Sequence, residues 1–309
     1  MIENARIIPL APVDWGGGEA RDIALWDIRG KQAQLPVSEL LGGRKHDRIL
    51  AYATVDLPMT SAAAGDVFDK ILRSVLDQGF KAIKLSIEKF GHRDNRKSEK
   101  EWDIYEASLL RFARDIVGRN VPLMLDVYGS DPLWAGDFDW AFKTTKVLEE
   151  LDFLWFEEPL APAALEDYVR LTQLANIAIA GGEDFILVRD FETLAKRKAV
   201  NILQPDCTRV GGLTKMRSIH AAASKNNLDL IPHGWNTAVG LAADLQFQAT
   251  VTNSEYRMVE FRPHRSITDV LKDNPFSLDN EGRVTVPTGA GLGVELNDKF
   301  KFQDSVKFY

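Results

Sequence analysis

The feature that most constrains this chain is a period. From residue 49 onward a short apolar run alternates with a longer amphipathic segment, eight times over. The apolar runs are Ile49–Val55, Ala82–Ile87, Val121–Asp126, Phe153–Phe156, Ile177–Ala180, Val200–Gln204, Leu228–Ile231 and Arg257–Val259. Between them, about 62–78, 100–118, 140–151, 163–174, 188–198, 212–225 and 238–249, apolar residues recur at helical spacing. Strands separated by helices pair in parallel, and eight such repeats predict a closed α/β barrel of the (β/α)8 type. No clear helix follows the eighth strand, so the expected form is a modified (β/α)7β barrel with a tail, 265–309. The turns around Arg283–Val286 make that tail read as irregular structure packing elsewhere, on the N-terminal helices. A helix is predicted at about 19–33, where Ala20, Ile23, Ala24, Trp26 and Ile28 form an apolar stripe. Pro36 ends it, and Gly42 and Gly43 close a second, short helix.

The strand ends carry the chemistry. The third ends at Asp126, the fourth at Glu157, the fifth at Glu183, the sixth at Asp206, the seventh at His233 and the eighth at Glu260. These residues are separated by steps of 31, 26, 23, 27 and 27, each one βα unit. The same end of six strands therefore presents an ionisable group to one mouth, where α/β barrels place their active sites. Any one of these carboxylates alone reads as a helix cap or a solvated loop residue. Five around one opening repel each other unless a cation or proton balances them. Asp126, Glu157 and Glu183, all oxygen ligands on adjacent strands, suit a hard divalent ion with open positions, most simply Mg²⁺. Asp206 beside His233 forms an orienter–base pair. Lys84, on the second strand, faces the proposed metal across the mouth and can neutralise a substrate anion.

Composition bounds the rest. The chain has 309 residues, 45% hydrophobic and 27% charged, with a net charge of −7. That balance is ordinary for a globular protein and argues against nucleic acid or an anionic membrane as the main partner. A lone cysteine, Cys207, forms no internal disulfide. No run of about 18 apolar residues predicts a membrane span, and residues 1–15 lack the pattern of a secretory signal. The expected location is the cytoplasm.

The chain resembles the enolase superfamily, mandelate racemase subgroup. The matching motifs are Ala24-Leu25-Trp26-Asp27-Ile28-Arg29-Gly30-Lys31, Leu40-Leu41-Gly42-Gly43, Gly79-Phe80-Lys81-Ala82-Ile83-Lys84 and Leu125-Asp126. They continue with Trp155-Phe156-Glu157-Glu158-Pro159, Gln204-Pro205-Asp206, Val210-Gly211-Gly212, Pro232-His233-Gly234-Trp235 and Glu260-Phe261-Arg262-Pro263. The similarity runs from about residue 20 to 295. It implies that Asp126, Glu157 and Glu183 hold Mg²⁺ and that His233, paired with Asp206, is a general base or acid. It further implies that a protonated Glu260 hydrogen-bonds a substrate carboxylate as charge builds there, and that the protein is a homo-oligomer. The shared step is removal of a proton alpha to a carboxylate, the enediolate being stabilised by Mg²⁺, Lys84 and Glu260.

Two departures refine this. Members with bases on both faces carry Lys-x-Lys on the second strand, whereas this chain has Lys84-Leu85-Ser86. A serine is no base near neutral pH without activation, so a simple two-base racemase is not expected. A sugar-acid dehydratase acting on a small-molecule acid sugar is compatible, with an epimerase or a non-catalytic, shortened family member as alternatives. The second departure is at the start: the chain enters at the last helices of the family's α+β capping domain. The expected organisation is 1–48 as partial capping-domain helices, 49–264 as the barrel and 265–309 as a segment returning to the cap. The apolar face of helix 19–33 would then be exposed.

Lesser candidates remain. Ser86 is suited either to a substrate hydroxyl or to a neighbouring side chain. Tyr128, two residues past Asp126, reads as a substrate contact or a rim aromatic. Trp235 and Asn236 are placed along the pocket. Glu158 and Asp184 read as supporting or capping residues, Lys81 as a snorkelling side chain, and His92 as a solvated loop histidine.

Overall fold

The computed structural model describes residues 18–57, 64–87, 98–129, 137–252, 256–261 and 270–297. Two helices open the chain, α1 (Gly18–Ala33) and α2 (Val37–Leu40). The alternating part follows as β1 (Arg48–Asp56), α3 (Ala64–Asp77), β2 (Ile83–Ser86), α4 (Glu99–Val117), β3 (Leu123–Asp126) and α5 (Phe138–Glu150). It continues with β4 (Trp155–Glu157), α6 (Leu165–Leu174), β5 (Ala178–Gly181), α7 (Val188–Arg197), β6 (Ile202–Leu203), α8 (Gly212–Lys225), β7 (Asp229–Leu230), α9 (Ala238–Gln248) and β8 (Met258–Glu260). All eight strands of the predicted period are present. A ninth, β9 (Arg283–Thr285), pairs antiparallel with the start of β1, where the sequence suggested only turns.

The parallel sheet runs in the order β7-β6-β5-β4-β3-β2-β1-β8. Its curvature shows in what the strands enclose. Tyr52, Ala82, Met124, Trp155, Ala180, Ile202, Ile231 and Met258, one from each strand or its flank, form a single buried cluster. Only a sheet rolled on itself brings one residue from every strand together, so the fold is the expected barrel, with this cluster as its apolar floor. The residues between, such as Leu85, Leu125, Phe156, Ile179 and Leu203, point outward into the shell of helices. Period-two alternation thus splits each strand between two cores.

Local signals set several helix ends. Ser98 and Glu101 form a reciprocal capping box before α4, which places its start earlier than apolar periodicity alone suggests. Gly182, at φ +113°, turns the chain after β5 where a Cβ would lie 2.9 Å from the Phe191 ring. Glycine alone takes both that backbone and that space.

The apolar stripe of α1 divides. Ile23 and Trp26 are buried, with the Trp26 indole donating to Thr214 Oγ1 of α8 at 2.9 Å. Asp22 accepts from the Thr214 backbone N–H at 3.0 Å, capping α8, whose own N-cap is a glycine. Only the Ala20, Ala24 and Ile28 side is exposed. The expectation of a fully exposed apolar face is therefore corrected: α8 covers half of it. The C-terminal stretch holds the other end, with Leu292 N–H donating to Asp27 at 2.8 Å and Val37 N–H to the Gly291 carbonyl at 2.8 Å.

Candidate active site

The mouth lies one alternation above the apolar floor. Ser86 is in register with Asp126, and Asp126 with Glu157. The inward carboxylates of β3 and β4 are therefore neighbours by strand pairing alone. Glu183 reaches them across the Gly182 turn. Ligand oxygens of Asp126, Glu157 and Glu183 lie within 4.8 Å of one another, and all three side chains are buried.

Lys84 enters from β2 beside them. Its Nζ lies 2.7 Å from Glu157 Oε1, 3.3 Å from Asp126 Oδ2 and 3.9 Å from Glu260 Oε2. Burial works against its charge, but Glu157, Glu260 and Asp126 outweigh burial and hold the amine well above its ordinary pKa. Lys84 is thus a fixed cation. One ammonium does not balance the cluster: burial, with Asp126, Glu158 and Glu157, pushes Glu183 up to about 10. Burial and Glu157 likewise raise Asp126. An all-oxygen donor set whose full ionisation is this strongly resisted without a further counter-charge fits a hard divalent cation.

Opposite stands the dyad. His233 Nδ1 is 2.8 Å from Asp206 Oδ2, and His233 Nε2 is 3.4 Å from Glu183 Oε2. Burial alone would raise Asp206, but hydrogen bonds from His233 and Thr208 hold it below the usual carboxylate range. An ionised Asp206 accepts the Nδ1 proton, which leaves Nε2 as the basic nitrogen facing the carboxylates. Thr208 donates to Asp206 Oδ1 through both its backbone N–H, 2.7 Å, and its hydroxyl, 2.6 Å.

Glu260 is buried at the end of β8 and accepts from the Thr54 hydroxyl and, at 3.3 Å, from the Gly234 N–H. Burial pushes it up, yet Lys84, His233 and Thr54 together hold it below its ordinary value. These interactions favour an ionised Glu260, whereas the sequence reading expects a protonated one.

The remaining predicted residues are spread more widely. Ser86 is buried on the inner face, and its hydroxyl makes no hydrogen bond, although it stands close enough to Tyr128 to influence that phenol. Tyr128 does not extend β3; its backbone leaves the strand at φ +49°, its N–H donating to Asp126 Oδ1 at 3.0 Å. Trp235 is 45% exposed at the rim. Glu158 is buried just past Glu157, while Asp184 pairs with Arg209. His92 lies outside the described residues.

Sequence reasoning missed Arg209. Its guanidinium pairs with Asp184 and lies 4.0 Å from Glu183 and 3.7 Å from Asp206. Its place three residues after Asp206, at the mouth end of β6, was the available signal. Thr54, two residues past the inward Tyr52, was legible by alternation in the same way.

The sequence profile of the enolase C-terminal domain-like family matches residues 67–300. The chain belongs to that family. This bears out the resemblance carried by the motifs. Among relatives of the enolase C-terminal domain-like family, D-galactarolactone cycloisomerase of Agrobacterium fabrum is 31% identical, over 89% of this chain and 70% of its own length. D-galactonate dehydratase of Verminephrobacter eiseniae is 31% identical over 92% of this chain and 72% of its own. The crystal structure of 3,6-anhydro-D-galactonate cycloisomerase from Zobellia galactanivorans superposes with a TM-score of 0.77 at 31% identity. It covers 91% of this chain and 72% of that one. The chain thus spans about seven-tenths of the length of these relatives. Among the described residues no helix is long and apolar enough to cross a membrane.

Proposed function

We propose that this protein is a Mg²⁺-dependent sugar-acid dehydratase, which removes the proton alpha to a carboxylate and eliminates the β-hydroxyl as water. The observation that carries the reading is the placement of the His233 Nε2 3.4 Å from Glu183, against three carboxylates that share one cation-sized space. Relatives of similar length coverage named as dehydratases of galactonate and arabinonate support the substrate class.

Asp126, Glu157 and Glu183 would hold the ion, which when bound supplies Lewis-acid stabilisation of a carboxylate substrate as its charge grows. The rest falls to the chain's own residues. Lys84 offers a permanent positive charge to the substrate carboxylate. His233 Nε2 takes the alpha proton, and Asp206 steadies the resulting imidazolium. The protonated His233 then stands on the side from which the β-hydroxyl leaves, and can return its proton to make water. Glu260 and Thr54 form a polar wall beside Lys84. Ser86 occupies the position where a second base would stand, so among the described residues protonation of the opposite face, as racemisation needs, has no evident group to perform it. Tyr128 and Trp235 are rim contacts for the sugar chain in this reading.

A panel of acid sugars incubated with enzyme and Mg²⁺ tests the proposal, with the 2-keto-3-deoxy product as readout. Water loss from at least one acid sugar, abolished by EDTA, is the expected result. Mg²⁺ binding without turnover of any member would favour the non-catalytic reading. A second reading has support from the cycloisomerase names among the relatives. The same base would open a lactone or anhydro ring, the ring oxygen leaving in place of water. A product isomeric with the substrate, with no water lost, would identify it.

A further inference from the structure

Trp155 sits two residues before Glu157 on β4, so both side chains face the barrel interior. Its indole Nε1–H donates to Glu157 Oε2 at 2.9 Å. The other carboxylate oxygen, Oε1, accepts from Lys84 at 2.7 Å. All three side chains are fully buried. The indole is itself fixed, because the Tyr52 ring meets it edge to face with centroids 5.7 Å apart and planes at 84°. Lys84 Nζ lies 5.6 Å from the centroid of that same Tyr52 ring. Glu157 is thus gripped at both oxygens by groups whose own orientations are locked by packing.

We infer that Trp155 is a positioning residue for Glu157, orienting the middle carboxylate of the three for a divalent cation. The inference rests on the metal-site reading of the proposed function and adds a residue to it. A glutamate has three side-chain torsions to restrain before it ligates. A hydrogen bond that satisfies one oxygen fixes the carboxylate plane in advance and leaves its other lone pairs to the ion. A buried indole needs some acceptor in any case, so the test must separate orientation from simple satisfaction. Trp140 supplies that comparison. Its indole also donates to a buried carboxylate, Glu106 at 3.3 Å, outside the barrel interior.

Calorimetric titration of Mg²⁺ into EDTA-treated protein is the experiment. Trp155→Phe should weaken Mg²⁺ binding about 10- to 100-fold, as loss of groups that orient metal ligands does. Trp140→Phe should leave the dissociation constant unchanged. If Trp155→Phe fails to fold, a tryptophan analogue at 155 with sulfur in place of the indole N–H keeps the bicyclic shape and removes only the donor. The same loss of affinity is expected from it. Wild-type affinity in whichever of the two folds overturns the inference alone. Absence of Mg²⁺ binding by the wild-type protein overturns the site reading and this inference with it.

Discussion

The floor and the mouth of the barrel are built from the same strands, two residues apart, and they obey opposite rules. On the floor, Met124, Trp155, Ile202 and Ile231 fill a dry layer. Above it, Asp126, Glu157, Glu260 and His233 stand on the same inner faces, each nearly inaccessible to water. The floor gains stability from every buried carbon, about 25 cal/mol per Å². At the mouth, burial and the like charges gathered there push Asp126 and Glu183 far from their ordinary ionisation. The difference teaches that this fold separates its stability from its chemistry by one step of strand alternation, with Trp155 bridging the two layers through its hydrogen bond to Glu157. Substitutions in the two layers should therefore fail in different ways.

The largest effect is expected from His233→Asn. Loss of a general base should lower turnover about 10²- to 10⁴-fold, with the melting temperature nearly unchanged. A steady-state assay beside thermal unfolding checks this, and full activity would remove His233 from its assigned role. Lys84→Met comes next. It leaves Glu157, Asp126 and Glu260 facing each other without a cation, and breaking such a buried pair costs about 3–5 kcal/mol. Denaturant unfolding at pH 8 should show that loss. The variant should recover part of it as the pH falls and the carboxylates take up protons. On the floor, Ile202→Ala should cost about 2–5 kcal/mol through its cavity. Mg²⁺ affinity should survive, because no ligand depends on that side chain. If Ile202→Ala lost metal binding in proportion to stability, the separation of layers would fail.

Much of this arrangement was legible in the sequence because two of its rules are local. Period two and strand length placed Asp126 and Glu157 at inward strand ends, and the βα spacing brought Glu183, Asp206, His233 and Glu260 to the same mouth. What was not legible depends on long-range packing. The three residues of β9 have no pattern of their own, and they become a strand only because the β1 edge accepts them. The burial of Trp26 depends on Thr214, 188 residues away in sequence. The lowering of the Glu260 pKa depends on Lys84 and His233 across the mouth, and the placement of Arg209 on Asp184 of the neighbouring loop. Strand ends can be read from one segment; charge states need the whole ring.

The measurement that bears most directly on the contrast is thermal unfolding across pH, with EDTA and with Mg²⁺. In the metal-free protein Glu183 holds its proton up to about pH 10, against an ordinary value of 4.5. The folded state therefore binds more protons than the unfolded one between these limits. Stability is fully present at the acid end of this window and is lost as pH rises through it. A divalent ion at Asp126, Glu157 and Glu183 replaces that proton, so Mg²⁺ should raise the melting temperature more at pH 8.5 than at pH 6. At a concentration about 100 times the dissociation constant the gain is about 2.7 kcal/mol. A melting temperature indifferent to millimolar Mg²⁺ at both pH values would contradict the account.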